Sequence, residues 1–263
     1  MMYQEQRLAL IIKYLASNNE ITLEEICTML SVSKDTARRD LVKLEERGEI
    51  IRIKGGATLP TSNQNLTDYK ERNATEGKEK IAQRASLLIR ETSDLLMDTS
   101  STCALMSKFM SGKQVNVITN SIDIVDLLGE FEEIQTFMLP GKFNRKNRNL
   151  VGPRTIETLN DYKVDQLFLG ACGISADGIT SPDEEEAFLK KKMISCAKQV
   201  VLLADHTKFE KVFLHKVCDI KGIDIIITDK NPEEEFKRKI IEFNIHLISL
   251  EEEESERISD EKN

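Results

Sequence analysis

The chain has 263 residues, 37 Lys+Arg against 45 Asp+Glu, and a formal net charge of −8. That length predicts one or two domains with a sizeable core, and the acidic balance argues against nucleic-acid binding by the surface as a whole. Five scattered cysteines and three dispersed histidines show no CxxC spacing and no Cys/His cluster, so neither a metal site, a cofactor nor a disulfide framework is expected.

No apolar run is long enough to span a bilayer, and the first residues carry no signal-peptide pattern. A cytoplasmic protein away from membranes is therefore expected. Charge is unevenly placed. Residues 1–60 hold nine Lys/Arg and nine Asp/Glu, whereas the remainder holds 28 against 36.

Leu8, Ile11, Ile12 and Leu15 recur at helical spacing and predict an amphipathic helix over 3–16. Thr22-Leu-Glu-Glu25 is a capping box that opens a second short helix. Ser33 is a good N-cap for a third helix running to Arg47, with Gly48 placed as its terminator. Ala37, Leu41 and Leu44 share one face of it. Thr36, Arg39 and Lys43 point roughly the other way, flanked by Asp35 and Arg38. Residues 49–54 alternate like a strand, and Gly55-Gly56 signals a turn. This succession is a winged helix-turn-helix, whose third helix would enter the major groove. The alternative is a solvated helix face on which Asp35, Arg38, Arg39, Asp40 and Lys43 pair with one another.

The stretch TARRDLVKLEERGEIIRIKGGA resembles the N-terminal signature of DeoR-type bacterial transcriptional regulators. The resemblance implies that Ser33, Thr36, Arg38 and Arg39 belong to a recognition helix for double-stranded operator DNA and that Lys54 lies in or near the wing; Lys34 and Lys43 join them as DNA-binding candidates. The family usually has a branched residue at Ala37 and often His at Lys54.

Residues 59–75, with Pro60, Ser62 and three Asn, read as a hinge. Helices and short apolar strands then alternate. Strands are predicted at 95–97, 115–118, 134–139, 166–169, 199–204, 223–227 and 245–250. Helices are predicted at 76–90, 102–110, 122–128, 155–159, 184–197 and 233–242, and a basic loop at 142–149. Such alternation means an α/β domain with a mostly parallel sheet. Polar residues cluster just after five of these strands, at 98–102, 119–121, Gly141, Gly173 and 205–208. In an open α/β sheet these loops converge on one ligand crevice. Ser100, Ser101 and Thr102 offer hydroxyls beside a helix start, and Lys208 a countercharge, which points to a small phosphorylated ligand. Helix caps and turns are the alternative reading of each loop taken singly.

VITNS at 117–121, EAFLKKKM at 186–193 and LADHTKF at 203–209 resemble the sensing domain of the same family. That domain is related in fold to ribose-5-phosphate isomerase and typically senses a sugar phosphate. By this resemblance Asp98, Ser101 and Thr102 match the phosphate loop, and Thr119, Asn120, Ser121, Lys190, Asp205 and Lys208 match other pocket motifs. Ser100 stands where the family loop has Gly. Pro140-Gly141 stands where it often has Gly-Gly.

The expected organisation is an all-α winged helix-turn-helix domain (1–58), a linker (59–75), an α/β effector domain (76–250) and a charged, disordered tail (251–263). The expected function is a homodimeric or larger repressor of a sugar-metabolism operon, modulated by a sugar phosphate. A sugar-phosphate isomerase-like enzyme, or a regulator with a dead pocket, is the alternative.

Overall fold

A computed structural model describes residues 3–18, 20–47, 49–58 and 75–253. The chain divides into two compact units, Met1–Leu66 and Thr67–Asn263. Gly48, the hinge up to residue 74 and the tail from 254 lie outside the described residues.

The first unit contains α1 (Gln4–Asn18), β1 (Glu20–Thr22), α2 (Leu23–Leu30), α3 (Lys34–Glu46), β2 (Ile51–Ile53) and β3 (Gly56–Thr58). Both halves of the expected capping box form: the Glu25 amide donates to Thr22 Oγ1 at 3.2 Å and the Thr22 amide to Glu25 Oε2 at 2.7 Å. Ser33 caps α3 by accepting from the Thr36 amide at 3.2 Å. Leu8, Ile11 and Leu15 bury against Ile26, Ala37, Leu41 and Leu44 in one core. Burying each such Leu or Ile contributes roughly 1.5–3 kcal/mol, so this stripe holds three otherwise marginal helices together. The strands form an antiparallel sheet in the order β1-β3-β2. The periodicity anticipates β2 alone. β1 and β3 are three residues each, too short for alternation to register, and β3 occupies ground that the double glycine marks as turn.

The second unit runs α4 (Glu76–Ser86), β4 (Asp94–Met97), α5 (Ser101–Ser107), β5 (Asn116–Thr119), α6 (Ile122–Leu128) and β6 (Gln135–Met138). There follow β7 (Lys142–Asn144), β8 (Asn149–Val151), α7 (Pro153–Thr158), β9 (Val164–Gly170), β10 (Gly173–Ser175) and β11 (Gly178–Ser181). The unit closes with α8 (Glu184–Cys196), β12 (Ala197–Leu203), β13 (His215–Cys218), β14 (Ile225–Thr228), α9 (Glu234–Glu242) and β15 (His246–Ser249).

Seven strands form one parallel sheet in the order β15-β14-β12-β9-β4-β5-β6. The unbroken apolar runs follow from burial on both faces. Leu96, Leu167, Leu169 and Leu202 pack to one side with Leu189, Met193 and Phe236. Their strand neighbours Leu95, Met97, Phe168 and Leu203 pack to the other with Ile81, Ala85, Cys103 and Met106. From β4 the chain builds outward through β5 and β6, then returns to lay β9 on the opposite side of β4. The gap between β4 and β9 is thus the topological switch point, where an open parallel sheet offers its crevice.

Three features differ from expectation. The basic loop over 142–149 is a β-hairpin, β7 paired with β8. β10, β11 and β13 form a small antiparallel sheet; its three- and four-residue strands with embedded glycines carry no readable period. The tail is not free at its start. Residues 251–253 are helical, and Glu253 meets Arg84 at 2.9 Å and Glu252 meets Lys237 at 3.0 Å. The first acidic residues of that run therefore extend the fold by pairing with cations from α4 and α9.

Candidate functional site

On α3, the apolar face meets α1 and α2, and the opposite face is open. Arg38 and Arg39 are exposed beside Val42. Arg38 lies 3.8 Å from Asp35, with both side chains largely in solvent. Arg39 makes no ion pair among the described residues. Ser33 and Thr36 stand at the start of this face, their hydroxyls 3.0 Å apart. Lys34 reaches Glu24 at 3.3 Å, and Lys54 is exposed at the β2–β3 turn. Ser33, Lys34, Thr36, Arg38, Arg39 and Lys54 therefore all have solvent-accessible side chains.

Lys43 departs from the group. Its ammonium donates to Gln4 Oε1 at 3.1 Å and meets Glu5 at 3.2 Å, because α1 crosses that side of α3. Arg47 also pairs with Glu5, at 2.7 Å. Hydrogen bonds from Arg47 and Lys43 hold the Glu5 carboxyl down at about 2. Asp40 is not on a solvated face either. It is fully buried, paired with Arg7 at 2.6 Å and accepting from Gln4 at 3.0 Å. Sixty degrees of helical rotation separate it from Ala37, which is the signal that places it at the edge of the buried face.

At the switch point of the second unit, Asp98 follows β4 and pairs with Lys190 of α8. Asp98 Oδ2 also accepts from the Gly170 amide at 3.1 Å, and Lys190 donates to the Gly170 carbonyl at 2.9 Å. Burial pushes the Lys190 pKa down, but Asp98 and Glu186 outweigh it and hold the ammonium above its ordinary value. Asn147 on the hairpin donates to Glu186 at 2.6 Å. Ser100 caps α5 through the Cys103 amide at 3.0 Å and lies against Gly170, where a Cβ would stand 2.3 Å from that of Ser100. Ser101 is half-buried and Thr102 buried in the first turn.

The loop after β5 is a strut. Thr119 donates to the Met97 carbonyl at 2.8 Å, and Asn120 accepts from Thr99 at 3.0 Å while donating to the Leu150 carbonyl at 3.1 Å. Ser121 caps α6. Gly141 and Gly173 are spaces for packing: a Cβ would meet Thr155 Oγ1 at 2.1 Å in the first and the Lys211 carbonyl at 2.4 Å in the second. Asp205 caps the turn His206–Lys208, accepting from the Thr207 amide at 3.0 Å. Burial raises its pKa, but Lys208, Thr207 and Lys78 together hold it below the ordinary carboxylate value. Lys208 is half-buried. On the hairpin, Lys142 and Arg148 pair with Glu185 at 3.3 Å and Asp123 at 2.7 Å.

The structure thus brings Asp98, Ser100 and Lys190 together around Gly170, and joins Thr119 and Asn120 to the same edge. Asp205 and Lys208 form a second group beyond β12. Gly170, Glu186 and Asn147 were not singled out from the sequence. Glu186 lies four residues before Lys190 on one face of α8, and that spacing is the signal for it.

The pattern of the DeoR-like helix-turn-helix domain matches residues 7–63, and that of the DeoR C terminal sensor domain matches residues 73–230. The HTH-type transcriptional repressor GlcR of Bacillus subtilis (strain 168) is 42% identical over 255 residues, 96% of this chain and 99% of that protein. The glycerol-3-phosphate regulon repressor of Escherichia coli (strain K12) is 29% identical over 250 residues, 94% of this chain and 99% of that one. Among solved structures, ribose 5-phosphate isomerase A from Methanocaldococcus jannaschii is 21% identical, covers 50% of this chain and 53% of its own, and has a TM-score of 0.37. With both of its units matched in order, the chain belongs to the DeoR family of helix-turn-helix transcriptional regulators.

Proposed function

We propose that this regulator represses a sugar-metabolism operon in the cytoplasm and is released by a phosphorylated sugar bound beyond the carboxyl ends of β4, β9 and β12. The observation that carries the reading is one chain in which a recognition helix with two solvent-facing arginines precedes a parallel sheet that gathers buried charges at its switch point. The nearly full-length similarity to a protein named as a repressor supports it. Ser100, Ser101 and Lys208 are the groups offered to the ligand. Asp98, Thr102, Lys190, Thr119, Asn120 and Ser121 build the wall behind them, with Gly141 and Gly173 setting its spacing. Asp205 orients the turn that carries Lys208.

One reading head touches few base pairs, so a homodimer or larger assembly reading paired half-sites follows. The ligand must bind two states with different affinities to change the operator affinity.

An isomerase-like activity would need a carboxylate free to take a proton. Asp98 is engaged by Lys190 and the Gly170 amide, and Asp205 by Thr207. This favours a sensor over an enzyme. The test of the sensor reading is the melting midpoint of the full chain against glucose 6-phosphate, fructose 6-phosphate, ribose 5-phosphate and glycerol 3-phosphate, with the unphosphorylated compounds as controls. A ligand at 100 times its Kd stabilises by about 2.7 kcal/mol. A shift with one phosphorylated compound is expected; equal shifts with its unphosphorylated form would contradict the reading.

A further inference from the structure

β6 closes one end of the seven-stranded sheet. The Gln135 and Leu139 amides donate inward to the Val115 and Thr119 carbonyls, at 3.1 and 2.8 Å. Backbone groups alternate in direction along a strand, so those of Thr136 and Met138 point away from the sheet. Such edges are normally guarded by a lysine, a proline or a bulge, because open amides and carbonyls recruit another strand. Residues 135–138, Gln-Thr-Phe-Met, carry no charge and no proline. Phe137 and Met138, on opposite faces of the strand, are 38% and 42% exposed. The strand at the other end, β15, buries Ile248 and Ser249 instead. The flanks of β6 are charged, with opposite signs. Glu130, Glu132 and Glu133 precede it and are exposed; Lys142, Arg145 and Lys146 follow it and are exposed.

We propose that β6 is the surface by which two copies of this chain associate, edge to edge and antiparallel, about a two-fold axis centred on Phe137. This rests on the homo-oligomer reading and names the surface. One register satisfies the edge. Thr136 faces Met138 of the partner subunit, and each such pair exchanges both N–H···O=C bonds. Phe137 then faces the partner's Phe137 in a non-hydrogen-bonded pair, with Cα atoms about 4.5 Å apart, where the two rings pack on one another. The charges choose the same arrangement. Antiparallel pairing sets the acidic flank of each copy beside the basic flank of the other, whereas parallel pairing sets like beside like. Two sheets thereby become one continuous sheet, and its two-fold axis is the symmetry that paired half-sites present.

The test follows the mass of the full chain by sedimentation velocity over a concentration series. It compares the wild type, Phe137→Lys, Phe137→Glu and, as control, Phe188→Lys, whose native ring is 54% exposed on α8. Circular dichroism spectra check that each variant folds. The wild type and the control should form dimers or larger even-numbered assemblies. Each Phe137 variant should weaken association by about tenfold or more, since it removes the ring pair and sets like charges opposite one another. An equimolar mixture of the two variants should regain the wild-type mass, because opposite charges then meet across the axis; misfolded variants would not do this. Phe137→Lys associating as tightly as the wild type would overturn the β6 surface and leave the homo-oligomer reading intact. Association lost in both variants and not regained in the mixture would overturn the two-fold register, and with it the proposal. A wild type that is monomeric throughout the series would overturn both.

Discussion

Asp98 and Lys190 form an ion pair whose side chains are 4% and 7% exposed, set at the switch point between β4 and β9, where the strand order reverses. Removing one partner strands the other charge in a buried setting, which costs about 3–5 kcal/mol. Lys190→Met should therefore lower the stability of the sensor unit by about that amount, while the double variant Asp98→Leu/Lys190→Met recovers most of it. Urea unfolding of the three proteins checks this. A single variant as stable as the wild type would show that the pair carries no such strain.

Asp40 and Arg7 make the corresponding pair in the reading head. Asp40→Ala should destabilise that unit by about 3 kcal/mol, again because a largely buried guanidinium loses its partner. Operator affinity should fall with it, as a melted α3 cannot enter a groove. If affinity falls with no change in the melting of the unit, Asp40 contacts DNA and the packing account fails.

Arg39 and Lys43 should separate in DNA binding. Arg39→Ala should weaken the operator complex by about 1–3 kcal/mol if the side chain reads a base. If it contacts phosphate, each lost contact should reduce the salt slope by about one. Lys43→Ala should change affinity little, because its charge is spent on Glu5. Equal losses would mean that α1 releases Lys43 when DNA binds.

Ser100 is tolerated where the family loop carries glycine because Gly170 leaves it room. Gly170→Ala should cost about 1–3 kcal/mol through overpacking, and adding Ser100→Gly should restore part of it. Additive effects in the double variant, measured by the same unfolding, would show that the two positions do not meet.

Glu5 gives a pH signature. Its carboxyl is lowered from 4.5 to about 2 in the folded chain. A depressed folded value adds stability above the unfolded value and loses it as pH falls through the folded one. The melting midpoint of wild type minus Glu5→Gln should thus be constant above pH 4.5 and shrink as pH falls from there toward 2. A difference that stays constant over that range would remove the Glu5–Arg47 pairing from the account.

Much of this architecture is legible in the sequence because periodicity and end signals agree. The Thr22–Glu25 capping box, the Leu8–Leu15 stripe and the seven apolar runs each specify an element by local chemistry alone. The missed pieces are those whose stabilisation is not local. β1 exists only as a partner of β3, which lies between β1 and β2, and β10, β11 and β13 cover the core around Ile174 and Ile179. Motif resemblance located Asp98, Asn120, Lys190 and Asp205, but not their roles. Asn120 is a strut between two loops, and Asp98 and Lys190 neutralise each other across 92 residues of chain. The close approach of Gly170 to Ser100 depends on a backbone position that no single-residue pattern records.

The most direct test of the central claim is operator affinity with and without the ligand. An operator is selected from random duplexes, and binding is followed by fluorescence anisotropy at fixed salt. The account predicts that the phosphorylated compound that raises the melting midpoint weakens operator binding at least fivefold (about 1 kcal/mol of coupling), and that its unphosphorylated form does not. Unchanged operator affinity in the presence of a compound that demonstrably binds would contradict it.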